Sequence, residues 1–185
     1  MLRSLLVAGF VLLFASAAVG NSITVYGDAS GASCSIADVS PALFTVFVIH
    51  NAVDGSVGSN LRVTESSGFA ATFVGENNAF YHDGTFRDGV NVFYAECLFS
   101  TFVIGTITYQ GHGTSETCST LETTGNPNWV EGFTPDPITS DCTFQWYPAP
   151  SAMSLHINPS VECPAPCAVK SQSSTWGRVK ALYRH

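Results

Sequence analysis

From residue 21 onward the apolar positions of this chain fall in short runs separated by Gly, Ser, Asn, Asp and Pro. Leu43–Ile49 (LFTVFVI) is nearly continuous and rich in β-branched and aromatic residues. That pattern predicts a strand covered on both faces, and its length is wrong for a helix. Val90–Cys97 sets Val90, Val92 and Tyr94 against Asn91, Phe93 and Ala95, the period of a strand. Phe102–Tyr109 (FVIGTITY) is a third strong strand, with Gly105 marking a bulge or bend. Ile23–Tyr26 opens the series with Ile23 and Val25 on one face, and Leu61–Thr64 and Ala70–Val74 are weaker members. Cys142–Tyr147 and Met153–Ile157 read as a late pair around Pro148-Ala149-Pro150. With turn signals at Asp54-Gly55, Asp83-Gly84 and Asp88-Gly89, about eight short strands predict an all-β chain, an antiparallel β-sandwich or barrel, of which we take the sandwich.

Two stretches break the rhythm. Helical character before the C-terminal tail is confined to a turn near Ser35–Asp38. Gly111–Ser140 reads as one long, polar, proline-bearing loop holding Trp129 and Phe133. Loops of that length are uncommon unless functional, so a binding surface is expected there. An outer-membrane barrel shares the strand count and the alternation. Six cysteines, continuous apolar runs and a basic, non-aromatic final residue, His185, fit a soluble core instead.

The two ends differ from the body. Arg3, the apolar stretch Leu5–Phe14 and the small residues Ala15, Ser16, Ala17, Ala18 and Gly20 have the order of a signal peptide cut between Ala17 and Asn21. A membrane anchor needs roughly 20 apolar residues, more than this run supplies. The first cysteine is Cys34, which excludes a lipoprotein cleavage site. The layout is therefore a signal peptide (1–20), a β-sandwich domain (21–169) and a tail (170–185). In that tail a Ser-rich linker precedes Trp176, Val179, Leu182 and Tyr183, which share one arc of a helix. Lys180 and Arg184 lie on another side, and Ser174 or Thr175 can cap the start. A short, basic, amphipathic tail helix is the expectation.

Charge and cysteine count narrow the class. All fourteen acidic residues lie between Asp28 and Glu162, and over 21–169 only Arg62 and Arg87 oppose them, a net of −12. The tail carries four basic residues and no acid. An acidic body argues against nucleic acid, whose binding rests on cationic contacts to phosphate, and against docking on anionic lipid. Six cysteines, Cys34, Cys97, Cys118, Cys142, Cys163 and Cys167, read in an exported chain as a disulfide framework with 15 possible connectivities. Zinc is the weaker reading, because Cys163-x3-Cys167 has no matching pair and no nearby His. Neither a metal nor a cofactor is expected.

No catalytic constellation emerges. His50, His82, His112, His156 and His185 make no metal-ligand spacing. His50, ending the most apolar strand, reads as a rim residue, and His156 sits in a strand. His112, between Gly111 and Gly113, is the best single catalytic candidate, although an ordinary loop histidine is the better description. Asp83 and Asp88 bracket a Gly-bearing loop without the alternating ligands of a calcium loop, and there is no Gly-x-Ser-x-Gly elbow. Fourteen acids allow paired carboxylates of the glycosidase kind, but spacing alone cannot bring two together. Aromatics remain: Phe80 and Tyr81 beside a turn, Trp129 and Phe133 in the long loop, Trp146 and Tyr147 at a strand end. Tyr81, His112, Trp129 and Phe133 are the candidate binding residues.

The opening Ile23-Thr-Val-Tyr-Gly-Asp, then Ser33-Cys34, the strand Leu43–His50 and the terminal Ser174-Thr-Trp-Gly-Arg-Val-Lys-Ala-Leu-Tyr-Arg form a recognisable series. It resembles a group of uncharacterised, secreted, cysteine-containing β-domain proteins of uncultured bacteria, most specifically in the tail. The resemblance implies an exported β domain whose tail, with Trp176, Lys180, Leu182 and Tyr183, is a tag for a sorting or docking partner; the alternative for the tail is an electrostatic strap lying on its own acidic body. It implies no activity or ligand. The expectation is a secreted or cell-surface, non-enzymatic binding or structural protein of the bacterial envelope, with polysaccharide or an envelope component as partner. The alternative is a small secreted hydrolase using carboxylate or His chemistry.

Overall fold

The structure, a computed structural model, describes residues 20–129 and 135–164. Phe133, Cys167, nearly all of the signal segment and the whole tail, with Trp176, Lys180, Leu182 and Tyr183, lie outside the described residues. Ten strands are described: β1 (Ser22–Tyr26), β2 (Ser35–Ile36), β3 (Leu43–Glu65), β4 (Thr72–Asn78), β5 (Tyr81–Thr85), β6 (Gly89–Gln110), β7 (Ser119–Thr124), β8 (Ile138–Ser140), β9 (Trp146–Pro148) and β10 (Leu155–Ile157). The described residues include no helix, and Ser35–Ile36, expected in a helical turn, is strand.

Two strands organise everything else. The runs expected as separate strands at Leu43–Ile49 and Leu61–Thr64 are the two ends of β3, 23 residues long. Val90–Cys97 and Phe102–Tyr109 are likewise parts of the 22-residue β6. β3 and β6 pair antiparallel from Leu43↔Gln110 to Leu61↔Val90, with register shifts near Val48, between Ala52 and Ser56, and at Ser56/Gly58. Those irregularities let polar and glycine-bearing sequence, Asn51-Ala-Val-Asp-Gly-Ser, continue a strand where composition reads as a turn. Gly55, at φ +81°, occupies one such bend. The expected bulge at Gly105 is present: Val48 faces Gly105 and Ile49 faces Val103, leaving Ile104 over.

β3 also joins the layers. Along the first part of β3, the edge away from β6 takes β1; Gly58–Asn60 takes β8, and Arg62–Glu65 takes β7. β4 and β5 flank β6, and β9 extends β8. The second layer runs β2–β10–β7 onto the end of β3. β2 and β10 pair parallel, so the sandwich is not purely antiparallel as expected. Nor do the regions 142–147 and 153–157 pair with each other. β9 pairs with β8 and β10 with β7, because Pro148 and Pro150 interrupt any hairpin between them. The core lies between the layers: Ile23, Val25, Val46, Val48, Ile107 and Tyr109 from one, Leu121, Leu155 and Ile157 from the other.

Cys97 bonds Cys142 and Cys118 bonds Cys163, each across 45 positions, and no described cysteine is free. The first clamps β6 to the turn after β8, the second ties the start of β7 to the segment beyond β10. The segment 111–140, expected as one loop, contains β7 and β8. Their alternation is masked by Ser, Thr and Glu, as in STLETT, where only Leu121 is a large apolar residue.

Candidate functional site

The outward face of β5, β6, β3, β8 and β9 carries one unbroken cross-strand row. Tyr81 faces Phe93, Phe93 faces Gly58, Gly58 faces Ser140 and Ser140 faces Trp146. Residues directly opposite in antiparallel strands project to the same side, so these five share a face. Their neighbours Val92, Tyr94, Ser59 and Thr139 point inward and are buried. At one flank the Tyr81 and Phe93 rings lie 5.9 Å apart, and Tyr81 is 77% exposed and Phe93 48%. At the other, Trp146 meets Trp129 edge-on at 4.8 Å. Between them Gly58 and Ser140 are themselves buried. A Cβ on Gly58 would sit 2.9 Å from the Val92 carbonyl, so that site admits no side chain without a shift of backbone. Further along β6, Phe99 is 65% exposed and lies over Gly55 beside Cys142, where a Cβ would meet its ring at 2.6 Å.

Behind this face sits a polar cluster invisible in the linear chain. His50 Nδ1 is 3.0 Å from the Tyr94 hydroxyl and 3.2 Å from Ser59 Oγ, and Ser59 Oγ is 2.5 Å from Tyr94. His50 is fully buried, not the rim residue expected, because Ile23 of β1 and Phe102 of β6 flank it on either side of β3. Burial holds its pKa down to about 4 and pushes that of Tyr94 up. His50 Nε2 has no hydrogen-bond partner. The trio is sealed in the interior, out of reach of any substrate, and the neutral imidazole serves as a core acceptor or donor.

The other candidates lie elsewhere. His112 is far from the aromatic row, in the loop after β6. Its ring Nε2 bonds Thr72 Oγ1 at 2.8 Å. Its amide and those of Gly113, Thr114 and Ser115 all donate to the carboxylate of Asp38 at 2.8–3.2 Å. Burial pushes the Asp38 carboxyl up, but those amides outweigh it and hold the pKa at about 2. The structure thus brings Tyr81 and Trp129 to one face and leaves His112 in a separate, internally satisfied loop. Among the described residues no group of three or more His, Cys, Asp and Glu could hold a metal ion.

A groove of about 690 Å³ runs beside β9, lined by Asn21, Asp54, Asp141, Tyr147, Pro148 and Pro150 among others. Two carboxylates line it, but Asp141 Oδ1 accepts bonds from the amides of Thr143 and Gln145 and from the Thr143 hydroxyl. These bonds, that from Gln145 foremost, lower its pKa, the opposite of what a general acid requires. Sequence reasoning names Tyr81 and Trp129 but misses Phe93, Phe99 and Gly58. Phe93 stands among the outward positions of an alternating strand, a signal that is present but carries no hint of its partner.

No protein-family model and no curated protein sequence matches the chain. Among solved structures it is similar to a cohesin module from a family 33 glycoside hydrolase of Clostridium perfringens, with a TM-score of 0.51 and 9% identity, over 76% of this chain and 98% of that one. Two further similarities are to CaCohA2. In its complex with a CaDoc0917 variant the TM-score is 0.49 at 8% identity, over 76% and 99% of the two chains. For the solution structure of CaCohA2 from Clostridium acetobutylicum it is 0.48 at 7%, over 76% and 91%. At such identities the likeness is one of fold: the chain is a β-sandwich of cohesin-like architecture.

Proposed function

We propose that this protein is a non-catalytic, extracellular binding module that docks a protein partner on the aromatic face of β5, β6, β3, β8 and β9. The observation that carries the reading is the Tyr81–Phe93 pair, two rings 5.9 Å apart that remain widely exposed on the outward face of the sheet. Rigid aromatics give large contact area at low entropic cost and are the usual anchors of protein interfaces. Support for the class comes from the fold neighbour, itself a cohesin module from a glycoside hydrolase. Support for the compartment comes from the disulfides, which persist in oxidising surroundings, and from the signal-like N-terminus.

A second reading, a neutral polysaccharide, is favoured by the groove where the half-exposed Tyr147 ring stands near Asp54 and Asp141. An aromatic face with carboxylate acceptors suits the apolar and hydroxyl sides of a sugar ring. The C-terminal tail, with Trp176, Lys180, Leu182 and Tyr183, fits either reading as a sorting or docking tag at the cell envelope.

The test compares wild type with Tyr81→Ala/Phe93→Ala as baits for the proteins of the producing cells' surface and medium, alongside affinity gels loaded with neutral polysaccharides. Expected is at least one protein retained by wild type alone, whose purified form binds wild type at least about tenfold more tightly than the variant. Retardation by a polysaccharide that Tyr147→Ala abolishes would establish the second reading in its place. Turnover of a glycoside, ester or peptide substrate would overturn the non-catalytic reading.

A further inference from the structure

Several acids of the −12 body are engaged inside the fold: Asp38 by four amides, Glu65 by Arg87, Glu76 by the Phe86 amide and Glu122 by the Ser154 hydroxyl. Asp54 stands apart. It is exposed on the bend of β3, its amide donates to Asn21 Oδ1 at 3.0 Å, and its carboxylate makes no ion pair with a described residue. With Asp141 it lines the groove of about 690 Å³ beside β9. The apolar part of that lining is Tyr147, Pro148, Pro150 and Ala152, all four exposed to solvent. Apolar walls beside carboxylates in a body almost without cations suit a ligand that is both apolar and basic.

We infer that this groove is the docking site of the chain's own tail, Trp176 and Leu182 lying on its apolar wall and Lys180 meeting Asp54. The chemistry matches on both counts. Residues 170–185 carry four basic residues and no acid, against −12 on the body, and the same segment sets Trp176, Val179, Leu182 and Tyr183 on one arc with Lys180 on another side. The length of chain suffices. His156 Nδ1 is 3.4 Å from the Cys163 carbonyl, and Ala152, on the groove wall, is four residues before His156, so the groove edge lies within about 25 Å of Cys163. From Pro164, the last described residue, to Trp176 is 12 residues, a reach of about 40 Å when extended. Tethering at that length gives an effective concentration on the order of 1 mM, which keeps a segment docked even at an intrinsic dissociation constant of about 0.1 mM. A docked tail is withheld from any outside sorting partner, and a sugar entering the groove has to displace it. The inference does not depend on the aromatic face.

The composition supplies the test, because Lys170 and Lys180 are the only lysines of the chain and both lie in the tail. A water-soluble carbodiimide, added to the full-length, disulfide-intact protein at low concentration and low salt, joins an amine to a carboxylate in contact with it as an amide, with net loss of one water. Peptide mass mapping of the monomer then reads which carboxylate each lysine touched. Expected is a Lys180–Asp54 amide as the main product, its yield falling at least about fivefold in about 0.5 M sodium chloride. Trp176→Ala in the tail and Tyr147→Ala on the groove wall, both leaving the joined groups in place, should each lower the yield about fivefold. Tyr81→Ala/Phe93→Ala leaves it unchanged, so loss of partner capture in that variant tells against the docking reading alone. A Lys180 that joins no carboxylate, joins exposed acids such as Glu96 and Glu162 as readily as Asp54, or joins Asp54 only between two copies would overturn the inference. So would a yield indifferent to Tyr147→Ala.

Discussion

The loop around Asp38 and the face around Tyr81 are both rich in groups able to bind something, yet they end in opposite states. In the loop the backbone donors are met within the chain: four successive amides, from His112 to Ser115, converge on the Asp38 carboxylate, and the His112 ring is bonded to Thr72. On the face, Tyr81 and Phe93 touch each other and leave much of their surface to solvent. A histidine between two glycines is a more conspicuous signal of chemistry than a tyrosine beside a turn. Its partners decide otherwise. A polar group with its bonds made inside the fold is scaffold, whereas exposed apolar area on a rigid sheet is free to be covered by another molecule.

The sharpest way to break this comparison is Asp38→Ala. Removing the buried carboxylate that accepts four amides should destabilise the protein by about 4 kcal/mol, read by denaturant unfolding, with aromatic-face capture unchanged under native conditions. A loss below about 1 kcal/mol would show that the loop is not held from within.

Acidification probes the layer beneath the face. The pKa of His50 is about 4 in the fold against 6.5 for the free side chain, so between those values the unfolded chain binds more protons. Stability contributed by the neutral imidazole is therefore full above pH 6.5 and falls as pH drops toward 4, by about 3 kcal/mol in all. Unfolding curves across that window should show the slope in wild type and lose it in His50→Gln. A slope that persists in the variant would assign the acid sensitivity to other groups.

Smaller effects separate the two regions further. His112→Ala removes one exposed hydrogen bond and should cost about 1 kcal/mol, with no change in any binding measured. Tyr81→Ala should alter stability by no more than about 0.5 kcal/mol, since little of the ring is buried, while weakening partner binding at least about tenfold. If His112→Ala impaired binding and Tyr81→Ala did not, the assignment of scaffold and surface would have to be exchanged.

How much of this is legible in the sequence differs by element. Leu43–Ile49, Val90–Cys97 and Phe102–Tyr109 are readable as strands because their apolar periodicity is local. That they belong to only two strands is not, since residues 51–56 carry turn-like composition and continue as strand only because 98–101 hold them across the ladder. β7 and β8 escape a sequence reading because their buried positions are filled largely by Ser and Thr. Tyr81 and Trp129 are legible as aromatics of polar turns and loops and Phe93 as an outward position of an alternating strand, but Phe99 and the register that joins Tyr81 to Phe93 are not.

What the sequence determines by itself is the all-β class, the cysteines available for disulfides and the acidic body with two arginines. All of these follow from composition and from periodicity within a few residues. The tertiary structure alone decides that Cys97 meets Cys142, that His50 is buried against Ser59 and Tyr94, that His112 is occupied, and that Arg62 faces Thr124. Each of those depends on register between segments distant in the chain. A shift of one residue would turn every side chain to the other face, and no local pattern encodes the register across such separations.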